Sequence, residues 1–208
     1  MDTACCPAFS IIVPTHCRPH LLERALASVR EQQAGEEIEV IVVSDAVDPS
    51  TDLTASRLLG ARDTYVRRSG RPGPSASRNL GLSRARGDVI AFCDDDDLWC
   101  DPDHLARVCE LLRAHADIDL CIANQRALYC DGKVRERWLP RLDSTLSARP
   151  ALSGDFRAVG VDELCASGGF AHLNMLCIRR RVLEAVGGFW EAVNYEEDRD
   201  FFWRCVDA

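Results

Sequence analysis

Apolar and polar positions alternate along the first 127 residues in a repeating rhythm of short apolar runs and longer amphipathic stretches. The runs at 9–13, 39–44, 64–66, 89–93 and 119–127 are rich in Val, Ile and Phe, and each has the length of a buried strand. Between them, residues 19–33, 50–59, 74–86 and 102–115 carry apolar positions at helical spacing. Three of these stretches have a proline near their start, which suits a first helical turn, where the missing N–H has no partner to lose. Alternation of this kind predicts an α/β fold with helices on both sides of a mixed, mostly parallel sheet.

The rhythm breaks after residue 127. Cys130-Asp131-Gly132-Lys133 predicts a hairpin turn, because Asp-Gly accepts positive φ. Residues 139–170, rich in Pro, Ser, Gly and Asp, predict a long loop or a set of short elements, and loops of that length in compact domains usually serve as lids or binding segments. Order is expected to return with a strand at 173–178, a helix at 180–186, a stop at Gly187-Gly188 and a last helix starting near Glu196. A length of 208 residues fits one domain, 1–208, whose halves divide near residue 127.

Charge narrows the partners. The net charge of −8 opposes approach to a phosphate backbone, so nucleic acid is excluded as the expected partner, and any diphosphate ligand must find its positive charge locally. Eleven cysteines without a C-x-x-C pair carry no zinc signature, and their placement in apolar runs predicts reduced core thiols. No basic stretch precedes a long apolar run and no window reaches the length of a membrane span, which predicts a cytoplasmic protein without a transmembrane segment, in contact with the inner membrane surface only at its periphery.

The sharpest chemical feature is Asp94-Asp95-Asp96-Asp97, four carboxylates directly after an apolar run. Adjacent carboxylates repel one another, so a cation is their natural counter-charge, and hard oxygen ligands select Mg²⁺ or Mn²⁺. A solvated acidic turn before the next helix is the plain alternative. An EF-hand starting at Asp94 fails, since Trp99 and Leu105 occupy the positions that need glycine and glutamate. A phosphatase using Asp94 as nucleophile and Asp96 as acid stays open on the residues alone.

Five segments extend the reading: Ser10-Ile11-Ile12-Val13-Pro14-Thr15-His16-Cys17-Arg18, Val40-Ile41-Val42-Val43-Ser44-Asp45, Pro74-Ser75-Ala76-Ser77-Arg78-Asn79-Leu80-Gly81, the aspartate run, and Glu197-Asp198-Arg199-Asp200. In this order they resemble the inverting family 2 glycosyltransferases of GT-A fold. The resemblance implies a nucleotide-sugar-binding half at about 1–127 and an acceptor-facing half at about 128–208. The donor would be a nucleoside diphosphate sugar, UDP-linked by expectation, and the acceptor hydroxyl would belong to a glycan, a lipid-linked sugar or a small molecule. It implies that Pro14, Thr15, Arg18 and Asp45 lie beside the base and that Arg78 faces the nucleotide or diphosphate. It also implies that Asp94 or Asp95 holds the ribose, that Asp96 ligates Mn²⁺ or Mg²⁺, and that Asp198 is the catalytic base. The family usually has two acids before Gly-Ser where this chain has Ser44-Asp45-Ala46-Val47.

Helix-capping roles remain the alternatives for Asp45 and for the acids around Asp198. Arg67, Arg68 and Arg71 supply positive charge upstream of Gly73-Pro74-Ser75, where a helix N-terminus suits an anion. His172 is open between lining the acceptor site, completing a metal shell and a purely structural place, and Trp138 stands beside the acceptor-side loop. Silent nucleotide-sugar binding is the rival to transfer.

Overall fold

The computed structural model describes residues 9–33, 38–70, 73–193 and 195–208, so Cys5, Cys6 and Arg71 lie outside the described residues. Its first half runs β1 (Phe9–Thr15), α1 (Pro19–Arg30), β2 (Ile38–Ser44), α2 (Pro49–Leu58), β3 (Thr64–Arg67), α3 (Pro74–Leu82), β4 (Val89–Phe92) and α4 (His104–Ala114). The second half adds β5 (Leu120–Ile122), β6 (Ala127–Leu128), β7 (Val134–Arg135), α5 (Pro140–Leu146), α6 (Val161–Ala166), β8 (Leu176–Arg179), α7 (Arg180–Val186) and α8 (Glu197–Asp207).

Six strands form one sheet in the order β3-β2-β1-β4-β8-β5. Strands β3, β2, β1 and β4 are parallel, with Thr15 opposite Ser44 and Ile12 opposite Phe92. A parallel strand covered on both faces must be apolar on both, and β1 and β2 are so from Ile11 to Val13 and from Val40 to Val43, while the buried Ser10 hydroxyl donates to Glu39 Oε1 at 2.6 Å. Alternate side chains divide between two cores: Ile11, Val13 and Ala91 pack under α1 and α4, while Ile12, Ile90 and Phe92 pack under α7 and α8. In α1 the buried Leu22, Ala25, Leu26 and Val29 make one helical stripe, and each of the larger side chains contributes roughly 1.5–3 kcal/mol by leaving water. Asp48 caps α2 by accepting from the Ser50 and Thr51 amides at 3.3 and 3.0 Å.

The second half is woven into the same sheet. β8 enters antiparallel between β4 and β5, pairing Ile178 with both Ile90 and Leu120. The expected strand at 119–127 breaks after Ile122, because Asn124 turns the chain and its side-chain oxygen accepts from the amides of Trp138 and Leu139 at 3.0 and 3.3 Å. The expected strand at 173–178 begins with a 3₁₀ turn, Leu173–Met175, before β8 starts. The hairpin falls where the turn chemistry put it: β6 pairs with β7, and Gly132 takes φ +82°. The 139–170 segment contains α5 and α6, held down by buried Leu142 and Leu164, since scattered leucines in a polar stretch suffice to seat one helical turn each.

One lock joins the halves. Asn79 of α3 accepts from the Phe189 amide at 2.7 Å and donates to the Phe189 carbonyl and to Glu191 Oε1, both at 2.9 Å. A Cβ on Gly188 would lie 2.3 Å from the Asn79 side-chain oxygen, so only glycine permits this approach.

Among the described cysteines, Cys17, Cys93, Cys100, Cys121, Cys130, Cys165, Cys177 and Cys205 are free thiols, and Cys109 departs from the reduced-thiol expectation by being disulfide-bonded. No helix among the described residues is long and apolar enough to cross a membrane.

Candidate active site

The parallel strands β1, β2 and β4 end on one edge, and the chain reverses its direction of travel across the sheet between β1 and β4. Open α/β sheets bind ligands at such a switch point, because the loops there diverge and leave a crevice. Thr15 closes β1, Asp45 follows β2, and Asp94 to Asp97 follow β4 after Cys93, whose amide is still held by the Ile12 carbonyl at 3.1 Å.

The four aspartates do not act alike. Asp95 turns inward and is 1% exposed. Its Oδ2 accepts from Thr15 Oγ1 at 2.6 Å and Arg18 Nε at 3.1 Å, and its Oδ1 pairs with Arg18 Nη2 at 2.7 Å. Burial drives the Asp95 carboxyl above the usual range, against the lowering pull of Thr15 and Arg18. Asp94, Asp96 and Asp97 face the crevice, with one carboxylate oxygen from each lying within 4.8 Å of the others. Arg18 reaches the outer edge of this group through Asp96 Oδ2 at 2.9 Å. Burial, then repulsion from Asp94 and Asp96, pushes the Asp97 carboxyl up to about 7 in spite of His172 and Arg78. Three oxygens crowded at that cost are the donor set that a hard divalent cation relieves, so the residues fit Mn²⁺ or Mg²⁺. Asp97, absent from the expected ligand set, belongs with Asp96; the unbroken acidic run marked it but could not rank it.

Arg78, buried on α3, ties the aspartates to the second half. Its Nη2 donates to both Asp94 oxygens at 2.9 and 2.8 Å, and its Nη1 donates to Glu197 Oε1 at 2.8 Å. Burial works against the Arg78 charge, but Asp94 and then Glu197 outweigh it and hold the guanidinium above its ordinary value. Its plane lies over the Phe189 ring at 5.5 Å. The sequence reading missed Glu197 as the second partner, since a helix-start acid looks the same whether or not it meets a cation.

Asp198, one residue further along α8, points elsewhere. Its Oδ2 lies 3.3 Å from His172 Nδ1, and its Oδ1 accepts from the Arg199 amide at 2.8 Å. Burial pulls this carboxyl up, while the His172 contact and the Arg199 amide more than offset it, leaving Asp198 below the usual aspartate range and ionised at neutral pH. His172 is clamped between the rings of Trp138 at 4.4 Å and Phe170 at 4.9 Å, and Trp138 Nε1 donates to the Phe170 carbonyl at 3.1 Å. Asp200 instead pairs with Arg204 at 2.8 Å on its own helix.

Asp45 sits at the same edge, accepting from the Gly73 amide at 2.8 Å and meeting His16 Nδ1 at 2.6 Å. It thereby fixes the approach to α3, whose first-turn Ser75 hydroxyl is buried without a hydrogen-bond partner among the described residues. Pro14 is half-buried within β1. Every expected site residue is thus on or beside one edge of the sheet, with Asp95 turned into the protein.

The family model for glycosyl transferase family 2 matches residues 10–187. The chain belongs to that family. Over 126 residues it is 35% identical to the putative glycosyltransferase EpsH of Bacillus subtilis, covering 60% of this chain and 36% of that protein. Over 210 residues it is 30% identical to the succinoglycan biosynthesis protein ExoW of Rhizobium meliloti, covering 96% of this chain and 63% of that one. The chain therefore spans only part of the length of these curated relatives. Among solved structures, the mannosyltransferase PcManGT of Pyrobaculum calidifontis, in complex with GDP-Man and Mn²⁺, superposes with a TM-score of 0.62 at 23% identity, over 95% of this chain and 51% of that one. S. aureus TarS 1-349 in complex with UDP-GlcNAc superposes with a TM-score of 0.70 at 19% identity, over 96% of this chain and 53% of that one. These superpositions bear out the GT-A-like fold.

Proposed function

We propose that this domain transfers a sugar with inversion from a nucleoside diphosphate sugar, UDP-linked, to an acceptor hydroxyl on a glycan, a lipid-linked sugar or a small molecule. The observation that carries the reading is the shared cation Arg78. It ties the acidic cluster, through Asp94, to the start of α8, through Glu197, where the ionised Asp198 is held by His172 and the Arg199 amide. Family membership supports it, as do the nucleotide-sugar complexes of the two superposed proteins.

In this reading Asp45 and Pro14 border the base, Asp94, part-exposed and braced by Arg78, meets the ribose beside its place in the metal cluster, and Asp95 supports the site from below by holding Thr15 and Arg18 in place. Asp96, with Asp94 and Asp97, would hold Mn²⁺ or Mg²⁺, which when bound neutralises charge on the departing diphosphate. Asp198 takes the proton from the acceptor hydroxyl as that oxygen bonds to the anomeric carbon. The bond from that carbon to the diphosphate oxygen breaks at the same time, the electron pair leaving with the diphosphate. A single displacement of this kind inverts the anomeric centre. Work at the inner face of a membrane, on the cytoplasmic side, fits a lipid-linked acceptor.

The test is thermal stabilisation by UDP with and without Mn²⁺. Saturation at 100 times the dissociation constant corresponds to about 2.7 kcal/mol. The metal-dependent part of this should vanish in Asp96→Ala. Full metal-dependent stabilisation of that variant would refute the ligand assignment, and tight donor binding without any transfer or hydrolysis would favour the silent binding module.

A further inference from the structure

A cavity of about 520 Å³ lies between Trp138, Phe170 and Trp203. Its charged lining consists of Arg135 and Arg199, with no carboxylate among the lining residues, in a protein whose net charge is −8. Both guanidinium groups are poised rather than consumed. Arg135 lies over the Trp138 ring at 4.4 Å and donates only to main-chain oxygens, those of Arg137 at 3.2 Å and Trp138 at 2.7 Å. Arg199 lies over Phe170 at 5.8 Å, and its contact with Glu196 is 3.5 Å long between half-exposed groups, a pairing worth little in water.

The cavity is coupled to the base by direct packing. Its two aromatic walls, Trp138 and Phe170, are the rings that clamp His172, and Arg199 follows Asp198 in the chain. Its walls thus touch the histidine that pairs with Asp198, the carboxylate proposed as the base. A cavity of this volume accommodates a sugar-sized group. Two arginines lining one space that holds no carboxylate in its walls suit a planar or tetrahedral oxyanion, which the guanidinium fork binds through charge-assisted hydrogen bonds.

We propose that this cavity is a binding site for an anionic group, phosphate or carboxylate, carried by the acceptor. The proposal rests on the transferase reading for the word acceptor, and on the cavity alone for the anion. Arg135 and Arg199 then select a charged acceptor over a neutral one.

Cys165, an exposed free thiol on the cavity wall, provides a readout that needs no turnover. The rate of its alkylation by iodoacetamide is followed by mass spectrometry, with exposed Cys100 and Cys130 as internal references. The probes are glucose 1-phosphate, glucuronate and methyl glucoside. A ligand at ten times its dissociation constant slows modification of a covered thiol about tenfold. Glucose 1-phosphate or glucuronate should protect Cys165 while methyl glucoside does not, and the stronger of the two names the anion. Protection should be lost in Arg135→Gln and in Arg199→Gln, each checked for an unchanged thermal transition. Equal protection by the neutral sugar, protection by none of the probes, or full protection in both variants would overturn the proposal. UDP stabilisation measured on the same samples tests the donor reading separately, so its failure beside intact Cys165 protection would remove the transferase reading and leave the anion site.

Discussion

The acidic edge after β4 and the surroundings of Asp198 solve opposite electrostatic problems. Around Asp94 to Asp97, negative charge is crowded until one carboxyl rises to about 7, although Arg18, Arg78 and His172 stand against it. Around Asp198, a single carboxylate is held below its usual range by one histidine and one backbone amide. On the proposed reading, a cluster that a cation relieves has to be unstable without it, and a base that acts at neutral pH has to be ionised beforehand. Arg78, shared between Asp94 and Glu197, links the two environments and pulls downward on both the Asp97 and the Asp198 carboxyl.

The largest expected effect separates them directly. Asp198→Asn keeps the shape of the side chain but loses its basicity, so transfer should fall by about 10²–10⁴ while UDP affinity is nearly unchanged. Asp200→Asn, which breaks only the partly exposed pair with Arg204, should cost under about 1 kcal/mol of stability and leave the rate alone. Wild-type turnover in Asp198→Asn would remove the base assignment while leaving the donor site standing.

Next in size is Arg78→Ala, which strands two partly buried carboxylates. Loss of one member of such a buried network costs about 3–5 kcal/mol, read as a drop in the urea midpoint. A loss confined to activity, with stability intact, would mean that Arg78 serves the ligand rather than the join between the halves.

The base environment is sharpened by His172→Gln. Because His172 helps hold the Asp198 carboxyl low, activity in the wild type persists above that low value and is lost as pH falls through it. Removing the histidine raises the carboxyl, so the acid limb of the rate profile should move to higher pH. An unmoved limb would make His172 a packing residue only.

The smallest effect concerns the 139–170 segment, with its short α5 and α6. Its amides should exchange more slowly when UDP and Mn²⁺ are bound. Identical protection in both states would make it a peripheral loop.

How much of this the chain announces differs between the same two regions. The first half is legible because covered parallel strands need apolar centres, and Ile11–Val13 and Val40–Val43 supply them, so strand, edge and acidic run follow from local pattern. The second half is built from pieces of two to seven residues placed by distant partners, until α8. Asn124 breaks the strand expected at 119–127 through bonds to Trp138 and Leu139, and no local signal carries that information. The same holds inside the site. Acidity identified the run at 94–97, but the inward turn of Asp95 depends on Thr15 and Arg18, about eighty residues upstream.

The Asn79 lock has a consequence for recombination. One side-chain amide reads both the N–H and the C=O of Phe189, much as a base edge reads its complement, and it does so against a glycine with no room for a Cβ. Positions 79, 188 and 189 therefore behave as a single heritable unit split across the chain. A chimera that joins the first half of this domain to the second half of a relative will hold together only when it carries that trio from one parent.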